Sequence, residues 1–435
     1  MRLASWVLAG LLAVPAAANA NELLRVFQLA QENDATYQAA RFTRDAAVEA
    51  RPQALAGLLP KIDGNATQNW QRTRITGAGL AGTPESSQPY SYGLTLAQPL
   101  FDWSAFRRYA QSGDRVALAE TTYRSRQQDL TLRVAQAYFN VLSSADNLRT
   151  LDAQNRAVER QLDESHRRFD AGMAAITDVQ EAQARYDLTA AQLIEAQQAL
   201  DAAKEALAEI TGQPVVAWVP LQDEIPLPTP KLSANDWVRS ALDGNFDLII
   251  AQYNAGIADK DVQIARAGHY PTLSLNAGRN TNEVADFNNG IVTTDGVALQ
   301  FNLPIYAGGS TQSKIREAKA TSEQFKAQAL GQQRLAERNT RDAYQGVVTG
   351  AAKVKAYRQA VTSNSTALEA SETGLQVGTR TTVDVLNAQQ ALYSAQRDYY
   401  KSRYDYLMSF FKLKSSAGQL SDEDLRLVDS LLIQG

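Results

Sequence analysis

The sequence predicts a mostly α chain with a β-barrel part, built by internal duplication, and three observations predict it. One short stretch occurs twice: Gly172 to Asp187, "GMAAITDVQEAQARYD", and Gly378 to Tyr393, "GTRTTVDVLNAQQALY", share a Gly, an Asp-Val pair six residues later and an Ala-Gln pair four beyond the Asp. Two stretches of helix-compatible sequence are unusually long: Ser104 to Phe169 has no proline and one glycine, Gly113, and Ser310 to Val377 has no proline. Before each long stretch lies a segment in which polar and apolar residues alternate with period two, the mark of strands with two unlike faces.

At the start, "MRLASWVLAGLLAVPAAANA" places a lone Arg2, an apolar run from Leu3 to Val14 and a small-residue Ala18-Asn19-Ala20 ending in secretory-leader order, so residues 1–20 are expected to be removed. The net charge of −4 becomes about −5 when Arg2 leaves, which argues against a nucleic-acid partner. Cysteine is absent, which excludes disulfides, thiolate metal sites and a cysteine nucleophile. His166 and His269 lie over a hundred residues apart without metal-ligand spacing, and neither a Walker loop nor a Gly-x-Ser-x-Gly elbow is present, so no cofactor and no resident metal are expected. After the leader no run approaches the roughly 18 apolar residues of a membrane helix. Contact with a membrane then falls to strands.

The duplication extends over almost the whole chain. Ala56-Gly57 with Pro60 matches Ala267-Gly268 with Pro271, and Ala137-Tyr138 matches Ala343-Tyr344; Gly212-Gln213 matches Gly418-Gln419. Spacing changes only between the paired prolines, where the first copy carries the Gly/Pro/Ser-rich "TGAGLAGTPESSQPY", expected as an exposed loop. The predicted division is a leader (1–20), a first repeat (21–210) with a hairpin at 60–101, a linker (211–236) rich in proline, a second repeat (237–420) with a hairpin at 271–306, and a C-terminal segment (421–435). Each repeat reads helix, extended hairpin, very long helix, tight turn, helix.

The return helices carry strict heptads. Val179, Tyr186, Leu193, Leu200 and Leu207 step by seven, with Ala182, Thr189, Ala196, Ala203 and Ile210 three residues on. The second copy answers with Val385, Leu392, Tyr399, Tyr406 and Leu413 beside Ala388, Ala395, Ser402, Ser409 and Ser416. A large-residue stripe beside a mostly small one predicts coiled-coil packing with close backbone approach.

In the hairpins Lys61, Asp63, Asn65 and Thr67 oppose Ile62, Gly64, Ala66 and Gln68, while Tyr90, Tyr92, Leu94, Leu96 and Leu100 oppose Ser91, Gly93, Thr95 and Ala97. Leu273, Leu275 and Ala277 face away from Thr272, Ser274 and Asn276, and Val297, Leu299, Phe301, Leu303 and Ile305 from Ala298, Gln300 and Asn302. Trp70, Tyr90 and Tyr92 at one end, with Phe101, Trp103 and Tyr306 at the other, suit two interfacial girdles. Four strands cannot close with a polar interior, and an open edge in lipid leaves backbone groups unpaired, so a barrel has to be shared between chains. Two chains with eight strands or three with twelve both satisfy that condition.

The leader, "LPKIDGNAT" and "LPIYAGG" around the hairpins, "AYFNVL", "AITDVQEAQARYD" and "VGTRTTVDVLNAQQALY" together resemble the TolC family of outer-membrane efflux ducts, over essentially the whole mature chain. The resemblance implies a homotrimer: a shared 12-stranded transmembrane β-barrel in outer-membrane lipid, continued by a trimeric α-barrel tunnel across the periplasm. It implies a passive conduit for drugs or proteins in efflux or type I secretion, with a periplasmic adaptor protein and an inner-membrane transporter as partners. It also carries over a periplasmic gate. Asp384 matches the family's constriction carboxylate, where a ring of three would give a possible cation block; Arg380 matches the Arg that bonds the neighbouring coil, and Thr177 and Asp178 its receiving side. Asn387 stands where the family often has a second carboxylate, and Leu375 where it often has a Tyr.

Other readings stay open on the residues themselves. Asp178 and Asp384 each open a helix after a turn, where a carboxylate caps free N–H groups and complements the dipole. Arg380 also fits a solvated surface charge. For the whole chain the alternative is a soluble periplasmic coiled-coil adaptor or scaffold; a hydrolase would need converging carboxylates, whereas Asp and Glu lie mainly on rod surfaces.

Overall fold

The computed structural model describes residues 22–433 apart from 74–75, 78–79, 82–84, 216–217, 228, 231 and 285–289. The leader at 1–20 and parts of the Gly/Pro/Ser-rich stretch therefore lie outside the described residues. The chain forms two compact units, one of Met1–Ala40, Ser125–Asn245 and Leu335–Gly435, the other of Arg41–Arg124 and Phe246–Arg334. The long helices α4 (Trp103–Asp170) and α8 (Ser310–Gln376) supply residues to both. Among the described residues no helix is long and apolar enough to cross a membrane.

The second unit holds the short α3 (Ala50–Ala56) and a four-stranded antiparallel sheet of β1 (Lys61–Gln68), β2 (Tyr90–Asp102), β3 (Thr272–Val284) and β4 (Gly290–Asn302), in that spatial order. Register follows the alternation. Ile62, Gly64, Ala66 and Gln68 pair with Leu96, Leu94, Tyr92 and Tyr90, so one face is apolar, while Asp63, Asn65 and Thr67 pair with Thr95, Gly93 and Ser91 on the other. Leu273, Leu275 and Ala277 continue the apolar face into Phe301, Leu299 and Val297.

Two departures from the expected pattern appear. Pro99 has no N–H to give the ladder, and the register shifts between Pro99 and Phe101, so Phe101 rather than Leu100 stands opposite Leu273. Strand β4 stops at Asn302, before Pro304, which leaves Leu303, Ile305 and Tyr306 exposed beyond it. Further along the apolar face Arg279 donates to both carboxylate oxygens of Asp295, at 2.6 and 2.7 Å, and marks where that face turns polar. At the strand-to-helix junction Trp103 meets Tyr270 edge-on and lies under the Arg107 guanidinium. Helix α4 then packs on α7 (Phe246–Ala267), where the buried Gln111 donates to the Ile257 carbonyl at 2.9 Å and to Asp261 at 2.6 Å.

The first unit contains α1 (Glu22–Asn33), α4 from Ser125 on, α5 (Ile176–Thr211), α6 (Ala234–Gly244), α8 from Leu335 on, α9 (Thr382–Ser416) and α10 (Asp422–Asp429). The heptad stripes face inward. Val179, Ala182, Thr189, Ala196, Leu200 and Leu207 are buried along α5, and Val385, Leu392, Ala395, Ser402, Tyr406 and Leu413 along α9. Helix α9 buries more besides, including Arg403, Tyr404, Leu407 and Phe411, because Phe139 of α4 packs on Tyr404 and Phe411 there. Irregular chain between α5 and α6 is shorter than the proline pattern suggests: Thr211 still belongs to α5, and the Ser233–Asp236 capping box starts α6 at Ala234.

Buried ion pairs pin this unit. Arg403 donates to the Gln222 carbonyl at 2.7 Å and faces Asp146 at 3.4 Å, while Tyr404 donates to Asp146 at 2.7 Å, which ties the linker to the coil. Asp34 caps the start of α2 (Ala35–Val48) through Tyr37 N–H and holds Arg133 by two bonds of 2.9 and 3.0 Å; the guanidinium keeps this carboxyl below the usual range. Asp429 of α10 accepts the Leu23 and Leu24 N–H groups that α1 leaves open.

Candidate functional site

The twice-occurring stretch forms two tight turns joining α4 to α5 and α8 to α9. Both turns bring the chain round with a glycine in the left-handed region, Gly172 at φ 71° and Gly378 at φ 78°, which an L side chain rarely adopts. Both close with the same pair of backbone bonds: Met173 N–H to Arg168 O and Gly172 N–H to Phe169 O, both 2.8 Å, against Thr379 N–H to Gly374 O, 2.8 Å, and Gly378 N–H to Leu375 O, 3.3 Å. Two of the open carbonyls at the end of each long helix are thereby satisfied.

The helix starts then differ. Thr381 and Asp384 form a reciprocal cap: Asp384 Oδ2 accepts Thr381 N–H and Oγ1–H, each at 2.9 Å, and Thr381 Oγ1 accepts Asp384 N–H at 3.2 Å. These bonds, with Arg380 nearby, hold the Asp384 carboxyl below its ordinary pKa. In the first copy Ala175 occupies the cap position and offers no side-chain acceptor, and Asp178 Oδ2 reaches Ala175 N–H at 3.4 Å.

Of the residues singled out in the sequence, the single chain brings Arg380 to Asp384, Nη1 to Oδ1 at 3.9 Å, within its own turn. Gly374 makes room for it: a Cβ there would lie 2.6 Å from Arg380 Cγ. Among the described residues Arg380 makes no bond to Thr177 or Asp178; Thr177 is exposed and Asp178 half-buried at the start of α5. Leu375 is buried and Asn387 exposed.

What joins the two hairpins within one chain is a set that sequence reasoning missed. Leu386 of α9 packs against Val158 of α4 and Ala182 of α5, with Leu162 and Tyr186 beside them. Just beyond, Arg185 Nη1 donates to Gln390 Oε1 at 3.0 Å and Nη2 to Asn387 Oδ1 at 3.2 Å. Arg168 Nη2 approaches the Leu375 carbonyl at 3.5 Å. The available signal was broken symmetry: the residue 206 positions after Arg185 is Ala391, and the one 206 before Asn387 is Glu181.

The pattern of the family described as outer membrane efflux protein matches residues 26–213 and 237–419, one match for each repeat. The chain belongs to the outer membrane efflux protein family. It is 33% identical over 431 residues to the outer membrane protein TolC of Vibrio cholerae, covering 98% of this chain and 97% of that one. It is also 33% identical over 421 residues to the proteases secretion protein PrtF of Dickeya chrysanthemi, covering 94% and 90%. Its fold is that of the crystal structure of CusC, with a TM-score of 0.80 at 19% identity and 92% of each chain covered. The relatives of this family member are outer-membrane and secretion proteins rather than enzymes, and they favour the duct over the adaptor.

Proposed function

We propose that three copies of this family member form a gated duct, with the gate at the ring of α4–α5 and α8–α9 turns. The protein is an outer-membrane channel of the efflux and secretion type. One observation supports the shared barrel above others: a four-stranded sheet with an apolar face whose edge strands β1 and β4 each have a neighbour on one side only. In lipid such edges need partners, and β4 of one chain beside β1 of the next supplies them, twelve strands in all for three chains. Residues 21–210 and 237–420 then act as two like units that give each trimer six coil tips, with 211–236 linking them and 421–435 bracing α1.

At the tips Asp384 of three chains converges as an acidic constriction with affinity for cations, Asn387 leaves the next layer neutral, and Arg380 bonds Thr177 or Asp178 of a neighbouring chain. A periplasmic adaptor docking there frees Arg380, and an inner-membrane transporter supplies the energy and selects drug or protein cargo. Two measurements test it. Membrane fractions run on an unheated gel should show a heat-sensitive trimer in the outer membrane. In planar bilayers Arg380→Ser should raise single-channel conductance, and Asp384→Asn should lower cation selectivity and block by multivalent metal ions. Unchanged conductance in Arg380→Ser, with Asp384→Asn affecting only helix stability, would reduce the turn to a helix start.

A further inference from the structure

On the reading of the turns as a gate, we propose that Arg185 is the latch that holds the two coiled hairpins of one chain together, and that position 387 sets its strength. The contact stands on the Leu386 side chain, which is buried against Val158 and Ala182 and brings α9 up to α4 and α5. Arg185 lies three residues after Ala182; Asn387 and Gln390 lie one and four after Leu386. A fork of fixed geometry on one helix therefore grips two acceptors spaced three apart on the facing helix. This fixes both the separation of the helices and their rotation.

Both acceptors are neutral amides, and among the described residues Arg185 forms no ion pair. Charge on one partner makes such bonds stronger than neutral ones, but weaker than a carboxylate at 387 would give. The tie from Arg168 to the Leu375 carbonyl, nearer the tips, is 3.5 Å long, and Arg397 Nη1 meets Gln154 Oε1 at 3.1 Å farther from them. Repeat mates Ala391, Glu181 and Ala184 replace Arg185, Asn387 and Gln390, so the grip exists once per chain and not in mirror form. Any movement of the α8–α9 coil away from α4–α5 breaks both bonds together. The Asn at 387 that removes a second acidic layer thus also keeps the latch releasable.

The test uses purified full-length trimer in planar bilayers. Arg185→Ala should raise mean single-channel conductance at least about threefold, and Arg185→Lys, a point charge without the fork, should fall between it and wild type. Asn387→Asp should lower conductance below wild type by converting the grip to an ion pair. The double variant Arg185→Ala/Asn387→Asp should conduct at least as well as Arg185→Ala, since the new carboxylate then has nothing to hold. That ordering separates a latch from an added ring charge, which would raise cation flow in both backgrounds. Should Arg185→Ala fail to assemble, Arg185→Lys and Asn387→Asp carry the same comparison. Wild-type conductance in the Arg185 variants while Arg380→Ser opens the pore would overturn the latch and leave the gate standing. If Arg380→Ser is also silent, the gate itself fails.

Discussion

The two turns share a backbone and differ in where their charges sit. In the first, Arg168 precedes the glycine and Ala174 follows it; in the second those places hold Gly374 and Arg380. The arginine has changed sides. On the first turn it reaches across to the carbonyl of Leu375, and on the second it folds back over Gly374 toward Asp384. The cap follows the same division, a full Thr381–Asp384 box in one copy and a bare Ala175 in the other. Duplication fixed the geometry, and divergence left one turn without a side-chain cap and gave the other a held carboxylate.

The strongest way to break this comparison is to remove the space that only the second turn needs. Gly374→Val places side-chain atoms where Arg380 Cγ lies and should expel the arginine from its turn, raising conductance as far as Arg380→Ser does. Arg168→Gly in the first copy should have a much smaller effect, since it gives up one long bond. Equal conductance in the two variants would mean that the exchanged arginines do the same work.

Next come the glycines themselves. Nothing lies within 4 Å of a Cβ at Gly172 or Gly378, so alanine meets only the left-handed backbone and should cost about 1–2 kcal/mol at either turn. Hydrogen exchange at the amides of residues 173 and 379 measures both. Unequal costs would show that a neighbouring chain rests on one turn.

Thr381→Ala removes the cap hydroxyl and should destabilise the start of α9 by about 1 kcal/mol. Its pH dependence has a definite sign. Because the folded-state Asp384 carboxyl is held below its ordinary pKa by Thr381, its contribution is complete above that ordinary value and is lost as pH falls through the lowered one. In Thr381→Ala the loss on acidification should be smaller and finish at higher pH, as followed by exchange at residues 384 and 385. A coincident acid profile would show that a neighbouring chain or Arg380, and not Thr381, holds the proton off.

Period is legible in a sequence, and pairing between distant repeats is not. The faces of β1 to β4, the stripes on α5 and α9 and the position of both turns follow from residues two, seven or 206 apart. The shift at Pro99 breaks a period and so moves Phe101 into the place expected for Leu100. Arg279 with Asp295, Arg133 with Asp34 and Arg403 with Asp146 each depend on the register between elements, for which no local pattern exists. At the candidate gate Asp384 stands out because it recurs after both turns, and Arg380 enters only through the family resemblance; Arg185 gives no such signal, because its acceptors lie over 200 residues away.

The smallest expected effect sharpens the comparison from the other direction. Ala175 already has the extended backbone of a cap residue, φ −82° and ψ 154°, close to Thr381 at −99° and 163°. Ala175→Thr therefore needs no rearrangement: its hydroxyl can accept the Asp178 N–H and donate to the Asp178 carboxylate, as Thr381 does with Asp384. The gain at the start of α5 should be about 0.5–1 kcal/mol by thermal unfolding, with conductance unchanged because the proposed acidic constriction belongs to the other turn. If stability does not rise, the Asp178 carboxylate is already engaged in the trimer, as a receiver for Arg380 requires. If conductance falls instead, the added cap has tightened a turn whose looseness contributes to opening, and the two copies share the gate.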